Sequence, residues 1–218
     1  MRPFDPDQAT AREDLCRFLA ACYYEPAVEF TEERVFDSMA DAARKIDPAL
    51  ADVAGRLAAD FAAQDLQTLL VDYTRLFLGP SGALARPHGS FWLSGEVSLM
   101  QDSTIEVQHL YQEGGFDLDE ELQEVPDHVA VELEFLYLLI FKQNEAAQAG
   151  QEEVFASWAH LQDMFLGRHL GAWVGRFAQA VRDGAQTAFY RDLAELTERF
   201  VQIIAAAHAQ SAPGNARP

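Results

Sequence analysis

Residues 126–141 read PDHVAVELEFLYLLIF, and this stretch decides the fold. Val129, Leu133 and Leu136 recur at the spacing that puts side chains on one face of an α-helix. The positions between them are also mostly apolar, and a helix that is apolar almost all round runs through the interior of a protein. The stretch opens with Pro126, a residue that suits the first turn of a helix, so we predict that this central helix begins there.

The chain shows the same helical spacing on both sides of this stretch. Its apolar segments are rich in Ala, Leu, Glu and Gln, lack the alternation that strands require, and are separated by glycine or proline. We predict an all-α fold, a single-domain bundle of about eight to ten helices over residues 1–210, with a loop at 81–94 and a disordered tail at 211–218. The other predicted helices cover residues 5–25, 31–45, 47–63, 65–77, 95–112, 151–166, 169–183 and 186–209.

The overall charge and the cysteine content limit the classes of partner and compartment. The chain of 218 residues carries a formal net charge of −19 at pH 7. A field of that sign repels phosphate backbones and anionic lipids, so we expect no nucleic acid partner. No run of about eighteen apolar residues occurs, so we expect no membrane insertion. Cys16 and Cys22 are the only cysteines, and we interpret them as reduced core thiols of a cytoplasmic protein.

The acidic charge is concentrated in one block of the chain. Between Pro87 and Phe141 there is no Lys or Arg. The block carries twelve carboxylates: Glu96, Asp102, Glu106, Glu113, Asp117, Asp119, Glu120, Glu121, Glu124, Asp127, Glu132 and Glu134. Acidity by itself often serves solubility alone, but such a concentration favours a basic partner.

Asp127 and His128 are the strongest candidates for chemistry. His128 precedes Glu132 by four residues, so the two side chains share a helical face and could form an oriented general base. The structural alternative is that Asp127 stabilises a helix N-terminus while Glu132 or a loop carbonyl holds the imidazole. We favour the structural alternative and predict no catalytic residue, because no Ser, Cys or Lys nucleophile signature accompanies the pair.

The sequence also predicts no metal ion and no cofactor. The histidines show neither a His-x-x-x-His spacing nor a relation to a Cys-x-x-Cys pair, and Gly79-Pro-Ser-Gly82 lacks the Lys-Ser/Thr ending of a phosphate-binding loop. The histidines are His88, His109, His128, His160, His169 and His208.

Large aromatic residues form a second candidate surface. Tyr73 and Phe77 lie on a predicted helix, and Phe91 and Trp92 lie on the predicted loop that follows it. These residues are either a core helix with its cap or binding anchors for a peptide, since aromatic side chains often dominate such interfaces.

A succession of motifs is spread over much of the chain. They are Tyr73-x-x-Leu76-Phe77-x-Gly79-Pro80, Pro87-x-x-Ser90, Tyr111 with Gly114-Gly115, and Glu124-x-Pro126-Asp127-His128 followed by Glu132 and Phe135. Their order and spacing resemble the TorD/DmsD/NarJ family of molybdoenzyme chaperones. The resemblance implies an all-helical cytoplasmic protein that binds the N-terminal segment of a molybdopterin-containing oxidoreductase subunit, often a twin-arginine leader, and assists cofactor insertion and assembly before export.

The resemblance also implies site residues. The family's signature falls on Glu124, Pro126, Asp127 and His128, and its loop proline and serine fall on Pro87 and Ser90. Val125 separates the glutamate from the proline, as in the nitrate-reductase branch of the family. The identity of the client stays open, and so does the choice between a monomer and a domain-swapped dimer.

We therefore expect a leader-binding chaperone. Its groove would lie near Tyr73, Phe77, Phe91 and Trp92, while acids around Glu124 and Asp127 would meet the arginines of the leader. His128 and Glu132 would orient the turn that carries those acids. The alternatives are an acid–base enzyme that uses Asp127 and His128 on a small substrate, and an acidic helical regulatory module that binds another basic protein.

Overall fold

The computed structural model describes residues 5–79, 82–94, 102–116 and 124–209. Those residues contain eleven α-helices and no strand, which confirms the predicted all-α fold. The first six helices are α1 (Pro6–Ala21), α2 (Glu29–Glu32), α3 (Val35–Ile46), α4 (Pro48–Ala62), α5 (Leu66–Tyr73) and α6 (Gly89–Ser94). The remaining five are α7 (Asp102–Glu113), α8 (Val129–Gln148), α9 (Glu152–Arg168), α10 (Leu170–Gly184) and α11 (Ala188–Ala209).

Helix α8 is the central helix that the sequence predicts. It packs between α1 and α9, and its apolar side chains are buried on almost every side. The thiol of Cys16 on α1 donates a hydrogen bond to the carbonyl oxygen of Leu133 at 3.3 Å. Buried apolar residues from α1, α3, α4, α5 and α7 to α11 join in one continuous core cluster. The buried side chains of α8 therefore belong to a core that joins most helices of the bundle.

The helix starts follow local signals in the sequence. Asp5, Asp47 and Asp65 each accept hydrogen bonds from the first N–H groups of α1, α4 and α5. Proline occupies the first turn of both α1 and α4. A short acidic side chain at the cap satisfies N–H groups that have no partner inside the helix. These starts agree with the predicted ones to within about two residues.

Four predicted boundaries are wrong or incomplete. Helix α1 ends at Ala21, not at residue 25, and the helix predicted from residue 31 is broken at Arg34, whose φ is 55°. The predicted loop contains the short helix α6, Gly89–Ser94. Pro126 lies in a turn, and α8 begins only at Val129. Residues 95–101 of a predicted helix and the predicted disordered tail lie outside the described residues.

Helix α5 continues into a π-helical turn, Thr74–Leu78. In such a turn the N–H bonds to the carbonyl five residues earlier, and here the N–H of Gly79 donates to Thr74 at 2.7 Å. The returning chain then binds the end of this turn, because the N–H of Leu84 donates to the carbonyl of Arg75 and that of Ala85 to the carbonyl of Leu76. The segment that follows is thus attached to the end of α5. None of the helices in the described ranges is long and apolar enough to cross a membrane.

A buried carboxylate joins α5 to the start of α11. The side chain of Asp72 accepts hydrogen bonds from the N–H groups of Gln186 and Thr187, at 3.0 and 2.8 Å, and from the Thr187 hydroxyl at 2.8 Å. Arg75 pairs with the other carboxylate oxygen at 2.9 Å. Asp72 therefore satisfies N–H groups at the N-terminus of α11, although it lies on another helix.

We expect Asp72→Ala to lower the free energy of unfolding by about 2–3 kcal/mol, because it leaves buried N–H groups without a partner. Asp47→Ala is the matched control: it removes a local cap from the part-exposed start of α4 and should cost about 1 kcal/mol. Urea denaturation of both variants and wild type measures the difference. Equal losses would show that Asp72 is no more than a local cap.

Candidate partner-binding site

Two motifs that lie far apart in the sequence form one structural unit. The N–H of Gly89 donates to the carbonyl of Asp127 at 2.8 Å, and the N–H of Val129 donates to the carbonyl of Pro87 at 2.7 Å. These bonds form an isolated antiparallel bridge between His88 and His128. The Pro87–Ser90 segment and the signature turn, residues 124–128, are therefore held side by side, and we call them the joined motifs.

Asp127 holds the start of α6. Its carboxylate is 2% exposed and accepts a hydrogen bond from the N–H of Ser90 at 2.8 Å. Because Gly89 and Ser90 begin α6, Asp127 satisfies N–H groups at that helix start through both its carbonyl and its side chain. The sequence predicts that Asp127 meets an arginine of the partner. In the structure its carboxylate is buried and holds the protein's own backbone instead.

His128 caps α8. Its Nδ1 accepts a hydrogen bond from the N–H of Ala130 at 3.2 Å, so the ring proton of the neutral imidazole belongs on Nε2. The ring packs against Tyr24 and His88. Burial, with a smaller contribution from His88, lowers the pKa of the His128 imidazole to about 3. An uncharged imidazole whose free lone pair is already bonded cannot accept a proton without releasing the cap, which argues against the acid–base enzyme.

Tyr111 and Glu132 attach the signature turn and the start of α8 to two further helices, α7 and α10. Glu132 is buried, and the indole N–H of Trp173 on α10 donates to its Oε2 at 3.0 Å. Gly89 packs so closely that a Cβ there would lie 2.7 Å from the Trp173 indole nitrogen and 3.0 Å from Oε1 of Glu132. The hydroxyl of Tyr111 on α7 donates to the carbonyl of Pro126 at 2.6 Å. The turn thus contacts α6 and α7, and the first turn of α8 contacts α10.

Tyr73 and Phe77 belong to the core. Their rings pack against each other, and both also contact Tyr190 of α11. They are 6% and 4% exposed, so neither presents a surface to a peptide in this structure. Pro87, Ser90 and Pro126 are buried as well.

Three residues of the predicted site keep substantial exposure. Phe91 and Trp92 are half-buried on α6, where the Trp92 indole donates to the carbonyl of Arg86 at 2.8 Å and the Arg86 guanidinium lies over the Phe91 ring at 5.0 Å. Glu124 has a side chain that is 36% exposed, with Oε2 3.9 Å from His128 Nε2. Partial burial raises the pKa of Glu124. Aromatic and acidic surface thus meet at the joined motifs.

Further acidic side chains extend this surface along α7. Asp102, Glu106 and Glu113 are exposed, and no salt bridge within the described ranges reaches them. Glu134 on α8 is half-buried and accepts a hydrogen bond from Tyr24 at 2.9 Å. Among the described residues no cluster of histidine, cysteine and acidic side chains could hold a metal ion. The described part of this surface can attract the cations of a partner.

The family model described as nitrate reductase delta subunit matches residues 37–179, from α3 to α10. The chain belongs to this family. The match includes Trp173 and both joined motifs, the signature turn and the Pro87–Ser90 segment. The matched range therefore includes every residue of the candidate site.

Curated relatives of this delta-subunit family member are named as chaperones. Chaperone protein TorD of Vibrio parahaemolyticus is 33% identical over 137 residues, which span 62% of this chain and 61% of the relative. Tat proofreading chaperone DmsD of Salmonella typhi is 28% identical over 177 residues, 81% of this chain and 80% of the relative. The chain thus matches about three-fifths of the TorD relative's length and more of the DmsD relative.

A solved structure shares the fold. The crystal structure described as that of a redox enzyme maturation protein from Archaeoglobus fulgidus superposes with a TM-score of 0.53, at 21% identity. The superposition covers 88% of this chain and 93% of that chain. At this identity the likeness concerns the fold.

We expect Gly89→Ala to lower the free energy of unfolding by about 1–3 kcal/mol, because the new methyl group collides with the Trp173 indole and the Glu132 carboxyl. Gly55→Ala is the matched control. Gly55 lies inside α4 with nothing within 4 Å of its would-be Cβ, so this change should raise the free energy of unfolding by about 0.5–1 kcal/mol. Urea denaturation measures both, and a neutral Gly89→Ala would disprove the close packing at the joined motifs.

Proposed function

We propose that this chain is a chaperone that binds the N-terminal segment of a molybdopterin-containing oxidoreductase subunit, often a twin-arginine leader, and assists cofactor insertion and assembly before export. Family membership and the chaperone names of the relatives support the general class. The name Tat proofreading chaperone, carried by the DmsD relative, supports a client that is exported with a twin-arginine leader. Such a client is met in the cytoplasm, where we place the protein.

The observation that carries the proposal is the composition of the exposed surface at the joined motifs. A leader presents a pair of arginines and an apolar stretch, and its binding site needs acids beside exposed apolar side chains. Glu124 offers a part-exposed carboxyl, and Phe91 and Trp92 offer aromatic surface only a few residues from the bridge that holds both segments together. The exposed acids of α7 add a negative field around them.

The geometry assigns different tasks to the two kinds of residue. Glu124 would meet a leader arginine, and its partial burial strengthens that pairing because the local dielectric is lower than in bulk water. Phe91 and Trp92 would contact the apolar stretch as aromatic anchors. Asp127, His128 and Glu132 would fix the relative position of these groups without touching the client, since all three side chains are buried.

We expect a double-mutant cycle to pair Glu124 with a leader arginine. Glu124→Gln should weaken binding of a twin-arginine leader peptide about two- to five-fold, the value of a part-exposed ion pair of about 0.5–1 kcal/mol. The same change should have no effect on a peptide whose arginines are replaced by glutamine.

Glu145→Gln is the control for this cycle. Glu145 is an exposed acid of α8, and it lies 16 residues beyond Val129, where the helix begins after the turn that carries Glu124, about 24 Å along the axis. It should leave affinity unchanged, as measured by isothermal titration calorimetry. Equal losses for both variants and both peptides would exclude Glu124 as the arginine contact.

The leader peptide should need both its charge and its apolar stretch. Raising salt from about 0.05 to 0.5 M should weaken binding, mainly through a slower association rate, because ions screen charges on the rim of an interface. A peptide that keeps the arginines but has a polar replacement for the apolar stretch should bind more weakly still. Surface plasmon resonance gives both rates. Undiminished binding of the polar peptide would favour an acidic regulatory module, and affinity independent of salt would exclude the acidic surface as the arginine site.

A further inference from the structure

The Glu132 carboxyl is buried without any compensating cation. It lies in the first turn of α8 and is 0% exposed. Its one hydrogen bond in the described structure comes from the Trp173 indole to Oε2, while Oε1 has no partner. No salt bridge in the described ranges includes Glu132, and the chain has no Lys or Arg between residues 87 and 141. A carboxylate in such a place would be very costly.

The titratable groups that act on Glu132 or on its neighbour Asp127 do not supply a positive charge. The turn contributes the Asp127 carboxylate, whose Oδ1 also lacks a partner and whose charge disfavours a second one. Burial lowers the pKa of His88 and of His169, as it does that of His128, so these imidazoles are neutral at pH 7. Helix α7 contributes Tyr111, whose pKa burial raises, so the phenol keeps its proton. Burial raises the pKa of the Glu132 carboxyl well above its usual range, and the neighbouring Asp127 charge acts in the same direction.

We propose that Glu132 is a proton-linked positioning residue: as a neutral carboxylic acid it holds α6 against α8 and α10, and loss of its proton releases α6. Three buried oxygen atoms of these residues have no hydrogen-bond partner, Glu132 Oε1, Asp127 Oδ1 and Ser90 Oγ, and a proton on Oε1 removes the need for Glu132 to hold an unpaired charge among them. Gly89, the first residue of α6, packs closely against both Glu132 and Trp173.

Loss of the proton would act directly on α6. The new charge at Glu132 would repel the Asp127 carboxylate, which bonds the N–H of Ser90, and both charges would draw water toward the start of α6, where Gly89 packs against Glu132. The least costly way to admit water is to move α6 away, which breaks the bonds from Gly89 and Ser90 to Asp127. Phe91 and Trp92 would move with it. The position of Phe91 and Trp92 would thus depend on whether Glu132 carries its proton.

The sign of the pH dependence follows from the raised pKa. Below about pH 4.5, the usual value for glutamate, Glu132 is protonated in both the folded and the unfolded chain, and its contribution to stability is fully present. As the pH rises from there toward the folded-state pKa, the unfolded chain loses the proton while the folded chain keeps it. The unfolding equilibrium constant should then increase about tenfold for each pH unit.

Glu132→Gln tests this in the full-length chain, because the amide keeps the shape of the acid, donates a hydrogen bond and cannot ionise. The ratio of the wild-type unfolding constant to that of Glu132→Gln should rise about tenfold per pH unit from pH 5 upward, as measured by urea denaturation. Glu145→Gln, an exposed change on the same helix, should follow wild type. If the ratio for Glu132→Gln does not change with pH, the proton link is wrong.

Hydrogen exchange tests the release of α6. At each alkaline pH the amides of Gly89 and Ser90 should exchange faster in wild type than in Glu132→Gln, and by a larger factor than amides in the middle of α8, whose exchange follows unfolding of the whole chain. The same factor at Gly89, Ser90 and the middle of α8 would retain the buried acid but disprove the release, and so would overturn the proposal.

A third measurement needs no variant and decides the matter if Glu132→Gln does not fold. In wild type with ¹³C-labelled glutamate side chains, one carboxyl resonance should keep the chemical shift of a protonated acid at pH 7. If every glutamate carboxyl is ionised at that pH, the proposal is overturned. None of these measurements uses a client peptide, so their failure is distinguishable from a failure of the proposed leader binding.

Discussion

The site depends on two hydrogen bonds by which Asp127 fixes the start of α6. One residue accepts the N–H of Gly89 with its carbonyl and the N–H of Ser90 with its carboxylate. Helix α8 begins two residues later, at Val129. Two helix N-termini, each carrying a partial positive charge, are therefore brought close to one acidic side chain. This arrangement explains how a buried carboxylate is tolerated without an arginine or lysine partner.

The residues that carry the family resemblance build the site more than they form its surface. The side chains of Asp127, His128 and Glu132 form hydrogen bonds with α6, α8 and α10, respectively. The partly exposed side chains of the site belong to neighbouring residues such as Glu124 and Phe91. A signature of this kind is compatible with different clients, because the buried framework can stay constant while the exposed side chains around it vary.

The sequence predicts the elements well where local chemistry defines them. Aspartate caps followed by proline locate α1 and α4, and the apolar run after His128 locates α8. Helix α6 is missed because Pro87 and Gly89 read as a loop, and the group that supports its start, Asp127, lies 37 residues away in the chain. The start of α8 is placed three residues early because the cap is an imidazole, which is not a common cap residue.

The sequence predicts which residues belong to the site better than it predicts what each of them does. Periodicity shows that Tyr73 and Phe77 share a face, but it cannot show whether that face meets Tyr190 or a peptide. The bond between Trp173 and Glu132 spans 41 residues and has no local signal. Charge concentration does identify the acidic surface, since the sequence has no Lys or Arg between Pro87 and Phe141.

The attachment of the chain at both sides of Arg86 restricts how this region can vary in length among relatives. Ala85 is tied to the carbonyl of Leu76 in the π-helical turn, and Pro87 is tied to Val129. Arg86 is therefore a spacer of fixed length between two anchored points, and its own carbonyl holds the Trp92 indole. An inserted or deleted residue here would shift the bridge register and, with it, every side chain of α6. Natural length variation should avoid this position and accumulate in connections that are tied at one end only.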